Sequence, residues 1–213
     1  MQKIIDCLRK FITSDVFYID CGANVGDIAI PVMQMKPRYS FLIEPDKEAL
    51  VQLKESLSFI QTRRYKIIEK ALSDRVGETD FYHVKNAPSR STFYGKRFQE
   101  SEVEKVRVPT TTIDSLVEEL EIDKLDFVMK MDCELAEPLI WRGMKKTIRR
   151  IKVIVMEFQP RILTFDAQHN SERFLDEIRM AGYSITNLDG TMPSLRDLTD
   201  PVGSKIDLLL RRL

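Results

Sequence analysis

Only three cysteines occur in 213 residues: Cys7, Cys21 and Cys133. Their number is odd, their spacings are long and no CxxC pair is present. This argues against a disulfide framework and a cysteine zinc site, and the thiols read as free in a reducing, cytoplasmic compartment. Histidine is scarcer still, with two residues, and no metal motif stands out. No apolar run approaches ~18 residues, so no membrane span is expected. Net charge is also lacking, because 33 Lys and Arg balance 33 Asp and Glu. That balance disfavours a generally basic nucleic-acid binder, though not a local basic patch. No repeat, low-complexity tract or linker divides the chain, so residues 1–213 are expected to form one domain.

What is present is enough for a core and a polar surface: 43% hydrophobic and 31% charged residues. The opening MQKIIDCLRKF places Ile4, Ile5, Leu8, Phe11 and Ile12 on one stripe with charges between them. Residues 1–14 therefore read as a helix and not a signal peptide. Short apolar runs then alternate with helical patterns. Strands are expected at 16–19, 39–43, 65–72, 125–131, 152–158, 183–187 and 206–210, with a polar–apolar hairpin arm at 77–84 and an extended piece at 105–110. Helices are expected at 25–36, bent by Pro31, and at 46–59, 112–120, 135–146 and 171–181. Thr112 is the expected N-cap of its helix. Alternation of this kind implies a mostly parallel sheet covered on both faces. Residues 188–204 carry no helix pattern, which predicts an antiparallel last strand.

The stretch FYIDCGANVGDIAI (17–30) ends a buried strand with Asp20 and then bends through Gly22 and Gly26. In parallel α/β sheets ligands sit beyond the carboxyl ends of the strands, where these residues fall. Gly22 would admit close backbone approach to a ligand, and Gly26 tight helix–strand packing. Asp20 stands where a pyrophosphate loop has glycine, so a cation or a neutral polar group suits the site better than an anion. Glu44 ends the next strand, 22 residues after Gly22, near the ~20-residue offset of an acid that takes ribose hydroxyls. Two strand-end acids fit a nucleoside with a cationic tail, such as S-adenosylmethionine. Turn glycines and a helix-capping Asp20 are the plainer alternative.

The motifs DCGANVG, IEPD, KALSD, VPTTTIDSL, FVMKMDCELAEPLIWRGM and VIVMEF, in this order over residues 14–160, closely resemble the FkbM-type methyltransferases. The resemblance implies a seven-stranded class I fold, S-adenosylmethionine as methyl donor and transfer to a hydroxyl oxygen of a small molecule or sugar. It implies a cofactor loop of Asp20, Gly22, Ala23, Asn24 and Gly26, a ribose acid at Glu44, and an adenine segment at Ala71, Leu72 and Ser73. Its KxDxEGxE stretch falls on Lys130, Asp132, Glu134 and Glu137. Here Leu135 replaces the glycine and Pro138 follows Glu137, and a leucine does not adopt positive φ cheaply.

A hydroxyl nucleophile gains from a base within ~3 Å. Asp132 is the first candidate, or else holds the cofactor's amino group. Lys130 shares its strand face and could keep an acid ionised, or form a structural pair with Asp132. Glu134 and Glu137 would share one face if a helix began at Glu134, as functional groups or caps. Glu157 ends the following strand and points to the same crevice. Asp132, Glu134 and Glu157 could bind Mg²⁺ together, but nothing in the sequence requires it.

His83 reads as a half-exposed strand residue, His169 as a surface or rim residue, and Trp141 as core. The polar segment 86–105, with Arg90, Phe93, Tyr94, Lys96 and Arg97, reads as a lid or substrate loop, and 160–170 and 188–203 as further rim. The remaining alternatives are a nicotinamide-dependent oxidoreductase, disfavoured by Asp20, and a non-catalytic module that binds the same nucleoside.

Overall fold

The structure is a computed structural model that describes residues 1–120, 125–165, 167, 169–199 and 205–213, leaving aside the side chains of Arg97 and Phe165. The expected rim residues Asp166, Gln168 and 200–203, and the Arg97 side chain, lie outside what is described.

Along the chain come α1 (Gln2–Arg9), β1 (Val16–Cys21), α2 (Ala29–Gln34), β2 (Tyr39–Ile43), α3 (Lys47–Ser58) and β3 (Tyr65–Ile68). There follow β4 (Ala71–Leu72), β5 (Gly77–Val84), β6 (Val103–Thr111), α4 (Ile113–Glu119), β7 (Asp126–Met131) and α5 (Glu137–Arg142). The last part holds β8 (Ile151–Phe158), α6 (Pro160–Phe165), α7 (Ser171–Met180), β9 (Tyr183–Asn187), α8 (Leu195–Thr199) and β10 (Ile206–Arg212).

Seven strands form one sheet in the order β3-β2-β1-β7-β8-β10-β9. All neighbours are parallel except β10, which runs antiparallel to both β8 and β9. Strand parity explains how the sheet is covered. Tyr18, Val128, Val155 and Leu209 pack against α1 on one face, and Leu42 joins α2 and α3. Ile19, Phe41, Met129, Ile154 and Leu208 pack on the other face with α4, α5 and α7. Trp141 belongs to that second layer, edge-on to Phe174 and Tyr183. A second sheet, ordered β4-β6-β5, stands beside the first.

Several expectations change. The run 65–72 breaks into β3 in the main sheet and β4 in the small one, with exposed Glu69 between them paired to Lys54. Helix α2 starts at Ala29, so Pro31 falls in its first turn, where a missing N–H costs nothing. Helix α5 starts at Glu137 because Glu134 and Leu135 take positive φ of 46° and 81°. A short helix, α8, occupies part of the connection expected to be without one. Thr112 caps its helix as expected, accepting from Ser115 N–H, and Asp46, expected within α3, caps it instead, accepting from Glu48 and Ala49 N–H.

Candidate functional site

A cavity of about 390 Å³ opens at the carboxyl ends of β1, β2, β7 and β8, roofed by residues 88–93. Its floor is the loop after β1. Gly22 has φ 76°, and a β-carbon there would lie 2.0 Å from the Asp132 carbonyl oxygen. The glycine thus permits close approach of the β7 end, and it also lines the cavity. Gly22 and Ala23 donate to Ile43 O, and Asp132 donates to Cys21 O, so the loop is tied to both flanking strands. Gly26 serves packing as expected: a β-carbon would meet Leu53 and Ile30 at 3.0 and 3.1 Å.

Asp20 does not reach the cavity. It is the register partner of Lys130 on β7 and is fully buried. Its Oδ2 accepts from Tyr18 OH at 2.9 Å, and Lys130 Nζ lies 3.3 Å from Oδ1. Lys130 Nζ also donates to Gly22 O at 2.6 Å and Cys21 O at 3.3 Å. Burial works against the ammonium, but the Asp20 and Asp132 carboxylates outweigh it and hold the lysine pKa above its ordinary value. Burial raises the Asp20 carboxyl, against the pull of Lys130 and Tyr18. Both residues therefore act as a clamp on the loop. Lys130 also lines the cavity and stands 3.8 Å from Asp132 Oδ2, the acid with which the sequence pairs it.

Glu44 does line the cavity. Asn24, at φ 48°, donates its N–H to Oε2 at 2.8 Å, and Asp46 N–H donates to Oε1 at 2.9 Å. Burial pushes the Glu44 carboxyl up to about 7, and these two backbone donors limit the rise. Asn24 Oδ1 is buried and has no hydrogen-bond partner among the described residues. Ala71 and Leu72 line the apolar side with Ile43 and Phe81. Ser73 does not line it: its N–H bonds Thr111 O and its hydroxyl bonds Asp74.

At the other end the acids converge. The register pairing Met131 with Met156 carries Asp132 beside Glu157, and Asp207 pairs directly with Glu157. Carboxylate oxygens of Asp132, Glu134 and Glu157 lie within 4.8 Å of one another. Glu157 is 8% exposed; its Oε2 meets Lys205 Nζ at 2.6 Å and its Oε1 accepts from Gln159 Nε2 at 2.7 Å. Burial first, and then the Asp132 charge, raises its carboxyl, while Lys205 and Gln159 oppose them. Lys205 and Asp207 are lining residues that the sequence reading missed. An antiparallel strand begins where its parallel neighbours end, so the charges opening KIDLLL were the available signal.

Glu137 stays below the cavity, 3% exposed, with Oε1 accepting from Cys133 N–H at 2.8 Å. Burial pushes its carboxyl up to about 8. It shapes the loop from Asp132 to Ala136. Leu135, in the glycine position of the resembling pattern, keeps positive φ while its side chain is buried. The loop therefore retains its left-handed turn despite the substitution.

The segment 86–105 folds over this cavity and ends in β6. Thr92 bridges to Tyr82, and its hydroxyl donates to Glu134 O at 2.7 Å. Arg90, Ser91 and Phe93 line the roof. Tyr94 OH meets His169 Nε2 at 2.7 Å, and Arg142 lies 3.4 Å from Nδ1. Burial and then the Arg142 charge lower the His169 pKa, and the contact with Tyr94 ties the roof to the chain after α6. His169 does not line the cavity, and His83 instead joins β5 to the start of α3 through Asp46 at 2.6 Å.

The family profile described as Methyltransferase FkbM domain matches residues 20–185, most of the chain. The chain belongs to the FkbM methyltransferase family. The FkbM methyltransferase of Methylobacillus flagellatus KT aligns with 93% of this chain and 44% of its own, at 17% identity and a TM-score of 0.55. The chain thus spans less than half the length of that structure. The magnesium protoporphyrin IX methyltransferase of Synechocystis PCC 6803, solved with bound S-adenosylmethionine, aligns with 100% of this chain and 79% of its own, at 11% identity and a TM-score of 0.50. An rRNA methylase from Streptococcus thermophilus aligns with 99% and 94%, at 8% identity and 0.50. At these identities the likeness establishes the class I methyltransferase fold. No curated protein matches the sequence.

Replacing Leu135 by glycine would relieve about 1–2 kcal/mol of left-handed strain but would remove a buried side chain worth about 2–5 kcal/mol. We therefore expect Leu135→Gly to lower unfolding stability in denaturant titration; a stabilised variant would contradict the packing described here.

Proposed function

We propose that this family member binds S-adenosylmethionine in the crevice and transfers its methyl to an oxygen of a small molecule or sugar. Glu44 carries the reading. Each of its oxygens takes one backbone N–H, leaving a lone pair on each for a ribose hydroxyl. The chemistry of the lining agrees: acids outnumber cations around the cavity, which suits a cationic ligand, and the orphaned Asn24 Oδ1 awaits a donor. Ala71 and Leu72 would flank the adenine. Gly22, Ala23 and Gly26 would shape the loop beneath it, with Asp20 and Lys130 holding that loop from behind. Ser73 would act through Thr111 and Asp74 instead of touching the nucleoside.

The cofactor, when bound, supplies an electrophilic methyl and its own leaving group. The protein's part is to align the acceptor and receive its proton. Asp132 is the best placed base: its side chain is 31% exposed, against 8% for Glu157, and Lys130 stands 3.8 Å away. Glu157, with a donor on each oxygen, would orient the acceptor alongside Glu134. Leu135 preserves the loop turn, which weakens the case for a non-catalytic module, and family membership leaves the nicotinamide reading without support. Labelled S-adenosylmethionine incubated with fractionated extract, followed by identification of the methylated product, tests the acceptor class. Label on an amine, a protein or RNA in place of a hydroxyl would overturn it.

Two consequences can be measured. Because the folded Glu44 carboxyl is raised to about 7, its ionisation costs the ligand-free protein stability as pH climbs from about 4.5 through 7. A ribose that donates to the ionised form recovers that loss. S-adenosylhomocysteine should then raise the melting temperature more at pH 8 than at pH 6, and Glu44→Gln should flatten the difference. Equal shifts at both pH values in the unmodified protein would refute the role. Asp132→Asn should slow turnover on the labelled acceptor by about 10²-fold or more while S-adenosylhomocysteine affinity stays within a few-fold; a loss confined to binding would move the base elsewhere.

A further inference from the structure

The balance of 33 cationic and 33 anionic side chains conceals a separation of charge. Acids outnumber cations around the crevice, at the carboxyl ends of the strands. The far end of the sheet is different. Lys36 and Arg38 lie just before β2, and Arg38 N–H donates to Val16 O at the start of β1. Arg63 and Arg64 precede β3, where Arg64 O accepts from Ser40 N–H. Arg149 precedes β8, and Arg212 closes the antiparallel β10 opposite Tyr183, where β9 begins. All six cations are exposed, and none has a carboxylate partner among the described residues. Neighbouring acids are engaged elsewhere: Asp126 holds Lys152 at 2.6 Å, Glu119 holds Lys66 at 3.8 Å and Glu118 holds Lys146 at 4.0 Å. Asp15 stands among the cations without an ion pair to a described residue. Phe59, which ends α3 beside β3, and Met180, which ends α7 beside β9, are 83% and 87% exposed. They mark the two edges of this end, because β3 and β9 are the edge strands.

We propose that this far end is a docking face for a bilayer containing anionic phospholipids, which seats the protein with its crevice turned to water. Seven strands lie side by side, so at about 4.8 Å per spacing the cations are spread over roughly 29 Å. One phosphate would engage a single corner of that width. An extended anionic surface meets all of it, and each Lys or Arg near such a surface adds to the attraction. The apolar residues decide between polyanions. Stacking on single-stranded nucleic acid needs aromatic rings in series along the cationic track. Here one ring and one thioether stand at opposite margins, where they would enter the headgroup region of a bilayer as anchors. The crevice stays clear of this contact: β8 runs eight residues from the docking end to Glu157 and Phe158, a separation of about 26 Å. The inference goes beyond the function proposed above and does not depend on it.

Sedimentation of the full chain with sucrose-loaded vesicles is the test. Vesicles of phosphatidylcholine with about 30% phosphatidylserine carry a negative surface potential, and vesicles of phosphatidylcholine alone do not. The protein is expected to pellet with the first and to stay in solution with the second. It should be released in about 1 M salt, where the screening length falls to about 3 Å. Each cation at the surface is worth about fivefold in partitioning, so Arg63→Gln, Arg64→Gln, Arg149→Gln and Arg212→Gln together should weaken it by about 10²-fold or more. Phe59→Ser with Met180→Ser should weaken it several-fold at unchanged charge. All these positions are exposed, so the variants are expected to keep the melting temperature and the S-adenosylhomocysteine affinity of the unmodified protein. Partitioning that ignores lipid charge, that survives the four arginine changes or that is indifferent to the loss of Phe59 and Met180 overturns the proposal. Retention of polyuridylate in filter binding, with no enrichment on the anionic vesicles, would make the partner a nucleic acid and overturns it as well. S-adenosylhomocysteine binding is read separately, so failure there bears on the proposed function and not on the docking face.

Discussion

A buried lysine under the first loop sets the geometry of the site. Lys130 reaches across from β7 to Asp20 on β1 and to the carbonyl oxygens of Cys21 and Gly22. A buried charge of this kind is tolerated only when its partners and donors are satisfied, and removing one partner costs about 3–5 kcal/mol. The arrangement fixes the path of residues 20–24. That path delivers Asn24 N–H to Glu44, so the ion pair behind the loop decides what the carboxylate in front of it presents.

From this anchor the cavity divides by chemistry. Near β2 and β4 it is apolar apart from Glu44. Near β7, β8 and β10 it is acidic, with Asp132, Glu134, Glu157 and Asp207 drawn from neighbouring strand ends. The roof segment joins the two halves, since Thr92 binds Glu134 O while Phe93 packs on Phe81. Gly95 lets the roof close, because a β-carbon there would lie 2.2 Å from the Tyr82 ring. A nucleoside's uncharged end and its charged end would thus meet different surroundings within one crevice.

Much of this was legible in the sequence because buried parallel strands are near-continuous apolar runs, and because acids at their ends announce a crevice. DCGANVG and IEPD placed the loop and Glu44 together. What was not legible depended on register. Period-two parity puts Asp20 on the face of Tyr18, but only the pairing of Asp20 with Lys130 shows that it turns inward to an ion pair. The expected strand 65–72 splits in two because β4 pairs with β6, a contact no local pattern encodes. Glu134 was expected at a helix start, and the left-handed turn at Glu134 and Leu135 moved that start to Glu137. Lys205 and Asp207 reach the crevice only because their strand runs antiparallel to β8, so that its entrance lies beside the ends of its neighbours.

The central claim is that Glu44, oriented by the backbone of Asn24 and Asp46, holds the sugar of a sulfonium nucleoside. A crystal structure of the protein with S-adenosylhomocysteine tests it most directly. The account predicts both ribose hydroxyls within hydrogen-bond distance of the Glu44 oxygens, with the thioether sulfur on the side of Asp132. A nucleoside bound away from Glu44, or with its sulfur turned from the acidic wall, would contradict it.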